Sequence, residues 1–351
     1  MRKSRVHGLV LTAISVCLTL LGLEFAVRLQ RGTVLQLQSQ SAQPQNLIGR
    51  NTYHPRLGWI TRPGRFESGW TSHVDDSGIR SNGRPIPAAG RSILVVGDSF
   101  TFGDEVEDGE TWAAQLEEIL NKSVINAGVG AYGIDQAFLR AELLLEKYDP
   151  EVVILSFISD DINRTEYSCF PNGRGWKPYF AYEQGALALK NVPVPRDSFL
   201  RRHQTLHRLL GYSALVDFVL NKIAYHWWHN IPVIERIHQD GEKVSADLLV
   251  RLDSLAKSRG GQFIAVALAT NGRIGDNLRL PGLVKRAREE GVVVLDLSVE
   301  MRQLPPGEFQ KLFQLRGHYS PAMNIWVAGR IAAFLHERGI RSPAEQPRTV
   351  P

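Results

Sequence analysis

A serine hydroxyl stands directly after a short apolar run, in a setting that favours nucleophilic chemistry. Residues 97–103 read GDSFTFG and follow the run 93–96 (ILVV), which is typical of a strand buried on both faces. A serine at the end of such a strand, just before a helix, can be activated by a histidine and flanked by backbone N–H donors. Ser99 is therefore the candidate nucleophile, although these letters alone also suit a serine that caps a helix.

Three further segments with chemically useful residues follow predicted strands. Residues 126–133 (NAGVGAYG) have small side chains that let a substrate oxygen approach backbone amides, with a flexible turn as the alternative. Residues 159–164 (SDDINR) carry two carboxylates that can orient a substrate or bind a cation, with a solvated turn as the alternative. His318 follows the last predicted strand and is the candidate general base, unless it is a surface histidine.

The elements that position these segments alternate from residue 91 onward. Apolar runs predict strands, apolar residues at helical spacing predict helices, and this alternation predicts a parallel sheet with helices on both faces. Ligands of such sheets bind beyond the carboxyl ends of the strands, which is where the four segments lie. The predicted strands are 93–96, 124–125, 152–157, 263–268 and 292–297, and the predicted helices are 111–122, 137–148, 244–259, 283–290 and 321–338.

Together and in this order, the four segments resemble those of the SGNH or GDSL hydrolase family, whose members hydrolyse esters on a flavodoxin-like sheet. The resemblance covers about 58–337 and is closest over 92–163; residues 78–80 (GIR) also resemble the family's approach to its first strand. The resemblance implies that Ser99 is the nucleophile and His318 the base. It also implies oxyanion donors at the backbone N–H groups of Ser99 and Ala131, and it matches Asp160 to the family's oxyanion asparagine.

Two positions depart from the family pattern. An ionised Asp160 would repel a developing oxyanion, so Asp160 is either protonated or serves another purpose. The family also has an acid two or three residues before its histidine, where this chain has Arg316 and Leu315. Asp296, at the end of the last predicted strand, is a possible substitute acid, with a turn-forming aspartate as the alternative.

The N-terminal residues predict a signal anchor. Arg2, Lys3 and Arg5 precede a stretch, 8–27, that is about long enough to span a bilayer core of ~30 Å. The basic cluster predicts a single-pass topology with a cytoplasmic N-terminus and the domain on the periplasmic or extracellular side; a cleaved signal peptide is the alternative. The predicted division is therefore an anchor at 1–30, a Gln- and Ser-rich flexible tether at 31–51, and an SGNH-like α/β domain at 52–345 with an irregular insertion at about 164–235.

Composition argues against several other classes of protein. The 41 basic and 36 acidic residues give a net charge of +5, but the basic residues are scattered and predict no nucleic-acid partner. Cys17 and Cys169 provide no disulfide framework, and no spacing indicates a metal site or a cofactor.

The sequence thus predicts a serine esterase or acyl-group hydrolase of the cell envelope, acting on an acylated small molecule or a glycan. Removal of acetyl groups from a polysaccharide is the substrate hypothesis, and it follows from the resemblance alone. Two alternatives remain open: a catalytically impaired protein that binds a glycan or a partner, and an acyltransferase.

Overall fold

The structure is a computed structural model that describes residues 2–32, 50–84, 91–169, 175–195, 204–228, 237, 239–272 and 279–340. Most of the predicted tether at 31–51 lies outside these residues, as do 341–345 at the end of the predicted domain. The chain divides into two compact units. One comprises Met1–Gly49, Pro171–Gly175 and Asp197–Ile234, and the other comprises Arg50–Phe170, Trp176–Arg196 and Glu235–Pro351.

The strands of the described residues pair either as hairpins or within one central sheet. In chain order they are β1 (Asn51–His54), β2 (Gly58–Thr61), β3 (Gly64–Glu67), β4 (Thr71–Val74), β5 (Ile93–Val96), β6 (Val124–Asn126), β7 (Val152–Phe157), β8 (Tyr179–Glu183), β9 (Ala186–Lys190), β10 (Gln262–Ala267) and β11 (Val294–Asp296).

The helices of the same residues include a long N-terminal helix and several that flank the sheet. In chain order they are α1 (Arg2–Gln30), α2 (Ser99–Phe102), α3 (Trp112–Leu120), α4 (Ile134–Leu145), α5 (Ser159–Arg164), α6 (Gln204–Leu210), α7 (Ala214–Ile223), α8 (Tyr225–Trp228), α9 (Gly241–Ser258), α10 (Leu280–Glu289), α11 (Leu297–Arg302), α12 (Pro306–Lys311) and α13 (Pro321–Glu337).

The central sheet has five parallel strands in the order β11-β10-β7-β5-β6. When the strands of this sheet are numbered along the chain from β5 and the order is read from the β6 edge, it is 2-1-3-4-5, the flavodoxin-like order. The predicted fold class, a flavodoxin-like parallel sheet with helices on both faces, is confirmed. The strand order reverses between β5 and β7, so the crevice beyond their carboxyl ends is the expected ligand site.

Helices cover both faces of this sheet. On one face α3 and α13 pack together over strand residues such as Ile93 and Ile154, with Trp112 and Met323 in the same apolar cluster. On the other face α4 and α9 pack together, α4 against β5 and β7 and α9 against β10. Every residue of β5 and β7 is buried, which explains why their sequences are continuous apolar runs rather than alternating ones.

The segment before the sheet forms two hairpins. β1 pairs with β2 and β3 pairs with β4, both antiparallel. The chain then turns at Gly78, whose φ of 71° suits glycine, and Arg80 donates its backbone N–H to the Asn126 carbonyl at 2.9 Å. The side chain of Arg80 thereby starts at the carboxyl end of β6, beside the predicted site.

Candidate active site

The turn after β5 requires glycine at its first position. Gly97 has a φ of 156°, and a Cβ there would lie 2.1 Å from Thr101 Oγ1 and 2.5 Å from the Ser156 carbonyl oxygen. Asp98 then accepts a hydrogen bond from the Phe100 N–H at 2.8 Å and caps α2. Ser99 is the first residue of α2, and its side chain is part-exposed between buried neighbours. The turn therefore presents one hydroxyl at the end of a buried strand.

His318 lies within hydrogen-bonding distance of that hydroxyl. Its Nε2 is 2.9 Å from Ser99 Oγ, although 219 positions separate the two residues in sequence. The loop that carries it is closed by hydrogen bonds from the Gln314 N–H to the His318 carbonyl at 2.7 Å and from the Ser320 N–H to the Leu312 carbonyl at 2.9 Å. This is the spacing that a general base needs to take the proton of a serine hydroxyl.

The third member of the arrangement is Glu105, which the sequence analysis did not identify. Its Oε2 is 2.9 Å from His318 Nδ1 and accepts the backbone N–H of His318 at 3.1 Å, while Oε1 accepts the N–H of Arg316 at 2.8 Å. The Glu105 side chain is 7% exposed. A carboxylate on Nδ1 holds the tautomer in which Nε2 faces the serine. Ser99, His318 and Glu105 thus form a continuous hydrogen-bonded line.

Asp296, considered from the sequence as a substitute acid, has a different position. Its carboxylate accepts hydrogen bonds from the Ser298 N–H at 3.0 Å and the Ser298 hydroxyl at 2.6 Å, and so caps α11. The structure places Glu105 rather than Asp296 against Nδ1 of His318. The turn-forming role that the sequence left open describes Asp296.

Arg80 holds the loop that carries Glu105. Its side chain is buried and donates hydrogen bonds to the carbonyls of Phe102 at 2.8 Å, Val106 at 2.7 Å and Gly103, and to the Asp108 carboxylate at 3.1 Å. These acceptors flank Glu105 on both sides in sequence. Arg80 is therefore a positioning residue for the acid, and it is the arginine of the GIR segment that the resemblance picked out.

We expect Arg80→Lys to lower the free energy of unfolding by roughly 2–4 kcal/mol and the kcat of a reaction at Ser99 at least about tenfold. A lysine ammonium cannot reach all of these acceptors from one position, so buried carbonyls lose their donor and Glu105 shifts from His318. Urea unfolding and steady-state kinetics measure the two effects. Arg65→Lys, at a residue whose side chain is 61% exposed and pairs with Glu67, is the matched control and should change neither. Equal stability and activity for both variants would contradict this role.

A second carboxylate approaches the other side of the imidazole. Asp104 Oδ2 lies 4.0 Å from His318 Nε2, and Asp104 also pairs with the Arg50 guanidinium. Burial by itself would raise the pKa of Asp104, but the positive charge of Arg50 and the neighbouring His318 outweigh burial and lower it. Asp104 therefore stays ionised and adds negative potential around the imidazole.

The glycine-rich loop after β6 packs tightly on the nucleophile turn. The Ala127 N–H donates to Val95 at 2.9 Å, the Val129 N–H donates to Gly97 at 3.0 Å, and a Cβ on Gly128 would lie 2.3 Å from the Phe102 nitrogen. Ala131, in the same loop, is buried and has a φ of 70°. Among the described residues, no group accepts a hydrogen bond from the backbone N–H of Ser99 or of Ala131. Both donors remain available to a bound oxygen.

The segment after β7 contributes two aspartates with different surroundings. Asp161 is buried, accepts the Ile158 N–H at 3.0 Å and pairs with Arg164, which also donates to the Tyr132 carbonyl at 2.9 Å and lies 3.4 Å from Asp98. Burial, and next the nearby charge of Asp98, raise the pKa of Asp161 well above its ordinary value. This network ties the three strand-end loops together.

Asp160, in contrast, lies in the first turn of α5 and is partly exposed. No described residue donates a hydrogen bond to its carboxylate. The neighbouring Asp161 takes the hydrogen bonds at this strand end, and Asp160 interacts with Arg164 through its charge.

Several solved structures are similar to this chain. No family model and no curated protein matches the sequence. Among solved structures, the chain is similar to a lipolytic protein of the G-D-S-L family from Desulfitobacterium hafniense, with 15% identity, a TM-score of 0.40, and 70% of this chain and 99% of that one covered. It is also similar to a lipase/acylhydrolase from Enterococcus faecalis, with 16% identity, a TM-score of 0.39 and coverage of 71% and 97%.

A third similar structure is the esterase EstA from Pseudoalteromonas sp., with 12% identity, a TM-score of 0.40, and 71% of this chain and 98% of that one covered. Identity and TM-score are low throughout, so the functional argument depends on the geometry of Ser99, His318 and Glu105.

Proposed function

We propose that this chain is a serine esterase in which Ser99, His318 and Glu105 form the catalytic triad. The observation that carries the proposal is the continuous hydrogen-bonded line, with 2.9 Å from Ser99 Oγ to Nε2 and 2.9 Å from Nδ1 to Glu105. Such a line makes the hydroxyl nucleophilic at neutral pH, because the imidazole takes its proton as the oxygen attacks.

The proposed reaction has two half-reactions. In the first, Ser99 Oγ attacks the ester carbonyl carbon, its proton passes to His318 Nε2, and Glu105 stabilises the imidazolium. His318 then gives the proton to the leaving alkoxide as the ester bond breaks, which leaves an acyl-serine. In the second, His318 takes a proton from water as the water oxygen attacks the acyl carbon. The bond to Ser99 Oγ then breaks, His318 returns the proton to that oxygen, and the free acid departs.

The oxyanion is assigned to two backbone donors. The N–H groups of Ser99 and Ala131 lack acceptors among the described residues, and Ala131 belongs to the loop that packs on the nucleophile turn. An ionised Asp160 would repel the oxyanion, so we assign it to the substrate instead. Its partly exposed carboxylate can accept a hydrogen bond from a hydroxyl of the substrate, which suits a glycan.

The reason for keeping a catalytically impaired protein as an alternative is weaker than it is from the sequence. Two features of the sequence favour that alternative: Asp160 at the oxyanion position, and Arg316 in place of an acid before His318. Glu105 supplies a carboxylate on Nδ1 from another part of the chain. An active hydrolase is therefore the function that the geometry supports best.

We also place the esterase at a membrane. Within α1, His7–Gln30 is long and apolar enough to span a bilayer, with a mean hydropathy of 2.2 and no part of the most apolar window buried. With Arg2, Lys3 and Arg5 before it, we propose a single-pass anchor with the domain on the periplasmic or extracellular side. An O-acetylated envelope polysaccharide is the proposed substrate class, by resemblance to the family.

The test uses the full chain in membranes and has two readouts. A fluorophosphonate should label Ser99 covalently, as peptide mass spectrometry can show. Incubation with an O-acetylated polysaccharide should release free acetate in amounts that match the loss of polysaccharide ester. Transfer of acetate to an added glycan acceptor would instead establish acyl transfer. The absence of both labelling and acetate release would refute the esterase.

A further inference from the structure

The end of α1 is fastened to the helix α7, within one compact unit of the fold. The Glu24 carboxylate accepts hydrogen bonds from the Ser213 hydroxyl at 2.7 Å and from the N–H groups of Ala214 and Leu215 at 2.8 Å each. Glu24 therefore caps the N-terminus of α7 from another helix, which gives a carboxylate in an apolar helix a polar partner.

Two arginines extend this contact by one helical turn each. Arg28 donates to the Tyr212 carbonyl at 2.6 Å, and Arg31 lies 2.6 Å from the Asp217 carboxylate. Asp217 also accepts the indole N–H of Trp228 at 2.6 Å. The polar side chains at and just beyond the end of α1 thus bind α7 and the turn before it, and Asp217 links this contact to Trp228 of α8.

The length of α1 determines the depth of these contacts in a bilayer. A helix rises about 1.5 Å per residue, so a hydrocarbon core of ~30 Å that begins near His7 ends near Ala26. Glu24, Arg28 and Arg31 then lie at the boundary between lipid tails and headgroups on the outer side. Because these side chains bind α7 and the turn before it, α7 is held at the same depth in the bilayer.

The helix α7 has an inverted distribution of polar and apolar side chains, and the described apolar residues in and just after α6 are exposed as well. In α7 the buried residues include Asp217, whereas Phe218, Val219 and Ile223 are exposed, Ile223 by 76%. In and just after α6, Leu206, Leu209 and Tyr212 are exposed, Leu209 by 64%. A helix in water buries its apolar side. A helix that buries its aspartate and exposes phenylalanine, valine and isoleucine has the pattern of a lipid-facing element.

We propose that α6 and α7 lie in the outer headgroup region of the bilayer, with the exposed residues just named inserted among the lipids. This surface, Leu206, Leu209, Tyr212, Phe218, Val219 and Ile223, is called here the apolar surface of α6 and α7. The inference depends on the proposed anchor, because α1 sets the depth. Lipid is the occupant that this depth selects, rather than a soluble partner. α1 is then one part of a larger attachment that also fixes the rotation of the unit about the anchor.

Quenching of a fluorophore in full-length protein tests this arrangement. The protein is reconstituted into vesicles of phosphatidylcholine and phosphatidylglycerol, with the environment-sensitive label NBD on a single cysteine. Cys17 is exposed on α1 and reports on the anchor once the buried Cys169 is replaced by alanine. Ile223→Cys in a Cys17→Ser, Cys169→Ala background reports on α7, and Ile119→Cys in the same background is the matched control, because Ile119 is a 48% exposed isoleucine on α3.

We expect lipid-borne doxyl groups to quench the label at residue 223 and aqueous iodide to leave it bright, with the opposite result at residue 119. Iodide quenching at 223, with Cys17 shielded, would overturn the inference and leave the anchor standing. Shielding of 223 from both quenchers would show that protein covers the surface and would also overturn it. Iodide quenching at Cys17 would refute the anchor itself. Hydrolysis of p-nitrophenyl acetate by the same samples reports on the esterase independently.

Discussion

Replacing Ser99 by alanine is expected to lower kcat for p-nitrophenyl acetate by at least about 10⁴-fold. The variant lacks the oxygen that forms the acyl intermediate, so only uncatalysed attack by water near the oxyanion donors remains. The 2.9 Å contact from Ser99 Oγ to His318 Nε2 is also lost. The steady-state rate, the loss of any burst of product in the first turnover, and the loss of fluorophosphonate labelling measure the change.

Ser254→Ala is the matched control for this variant. Ser254 lies on α9, and its exposed hydroxyl donates only to the Val250 carbonyl one turn earlier. Its removal should leave kcat and labelling unchanged. A Ser99→Ala protein that melts at the same temperature as the parent and still hydrolyses the ester would show that another nucleophile does the chemistry.

The second large effect concerns the acid. Glu105→Gln should lower kcat by about 10³–10⁴-fold with little change in KM, as a carboxylate-to-amide change does in a serine protease triad. The amide keeps the size of the side chain, but it neither stabilises the imidazolium nor fixes the tautomer in which Nε2 accepts from Ser99. Steady-state kinetics across pH, on protein with a normal far-ultraviolet spectrum, measure the loss.

Two other substitutions separate Glu105 from the residues that the sequence suggested. Asp296→Asn should retain full activity, because asparagine still accepts from the Ser298 N–H and Nδ1 is bound elsewhere. Arg316→Asp, which would add a carboxylate before His318, should give no gain, since Nδ1 already has its partner. If Asp296→Asn is as damaging as Glu105→Gln, or if Arg316→Asp raises activity several-fold, the assignment of Glu105 as the acid is wrong.

The sheet was predictable because burial leaves a direct trace in sequence. The predicted strand at 152–157 coincides with β7, and the predicted strand 93–96 coincides with β5, both of them apolar at nearly every position. The shorter edge strands are less well defined: the prediction of 292–297 compares with the observed Val294–Asp296. Edge strands carry fewer buried residues and therefore a weaker pattern.

The acid was not predictable, because no local rule marks it. Glu105 is six positions after Ser99 and has a left-handed φ of 72°. Its loop is held by hydrogen bonds from the Arg80 side chain. Its contact with His318 spans 213 positions in sequence. The resemblance predicts an acid just before His318. Only the structure shows that the carboxylate comes instead from Glu105, in the loop after α2.

The attachment of α7 to α1 was also missed, although one signal was present. Glu24 interrupts an otherwise apolar segment, and a carboxylate there needs a partner. Sequence alone does not say which partner, since Ser213 is 189 positions away.

The hydrogen bonds that hold Glu105 do not depend on the side chains just before His318. The carboxylate accepts the main-chain N–H groups of residues 316 and 318, and these are present whatever side chains occur there. Leu315 is 94% exposed, and the guanidinium of Arg316 lies over the Trp70 ring at 5.4 Å. The two positions at which SGNH and GDSL hydrolases have an acid therefore need no carboxylate to hold Glu105 in this chain. A carboxylate bound by main-chain N–H groups thus tolerates changes of side chain just before the histidine.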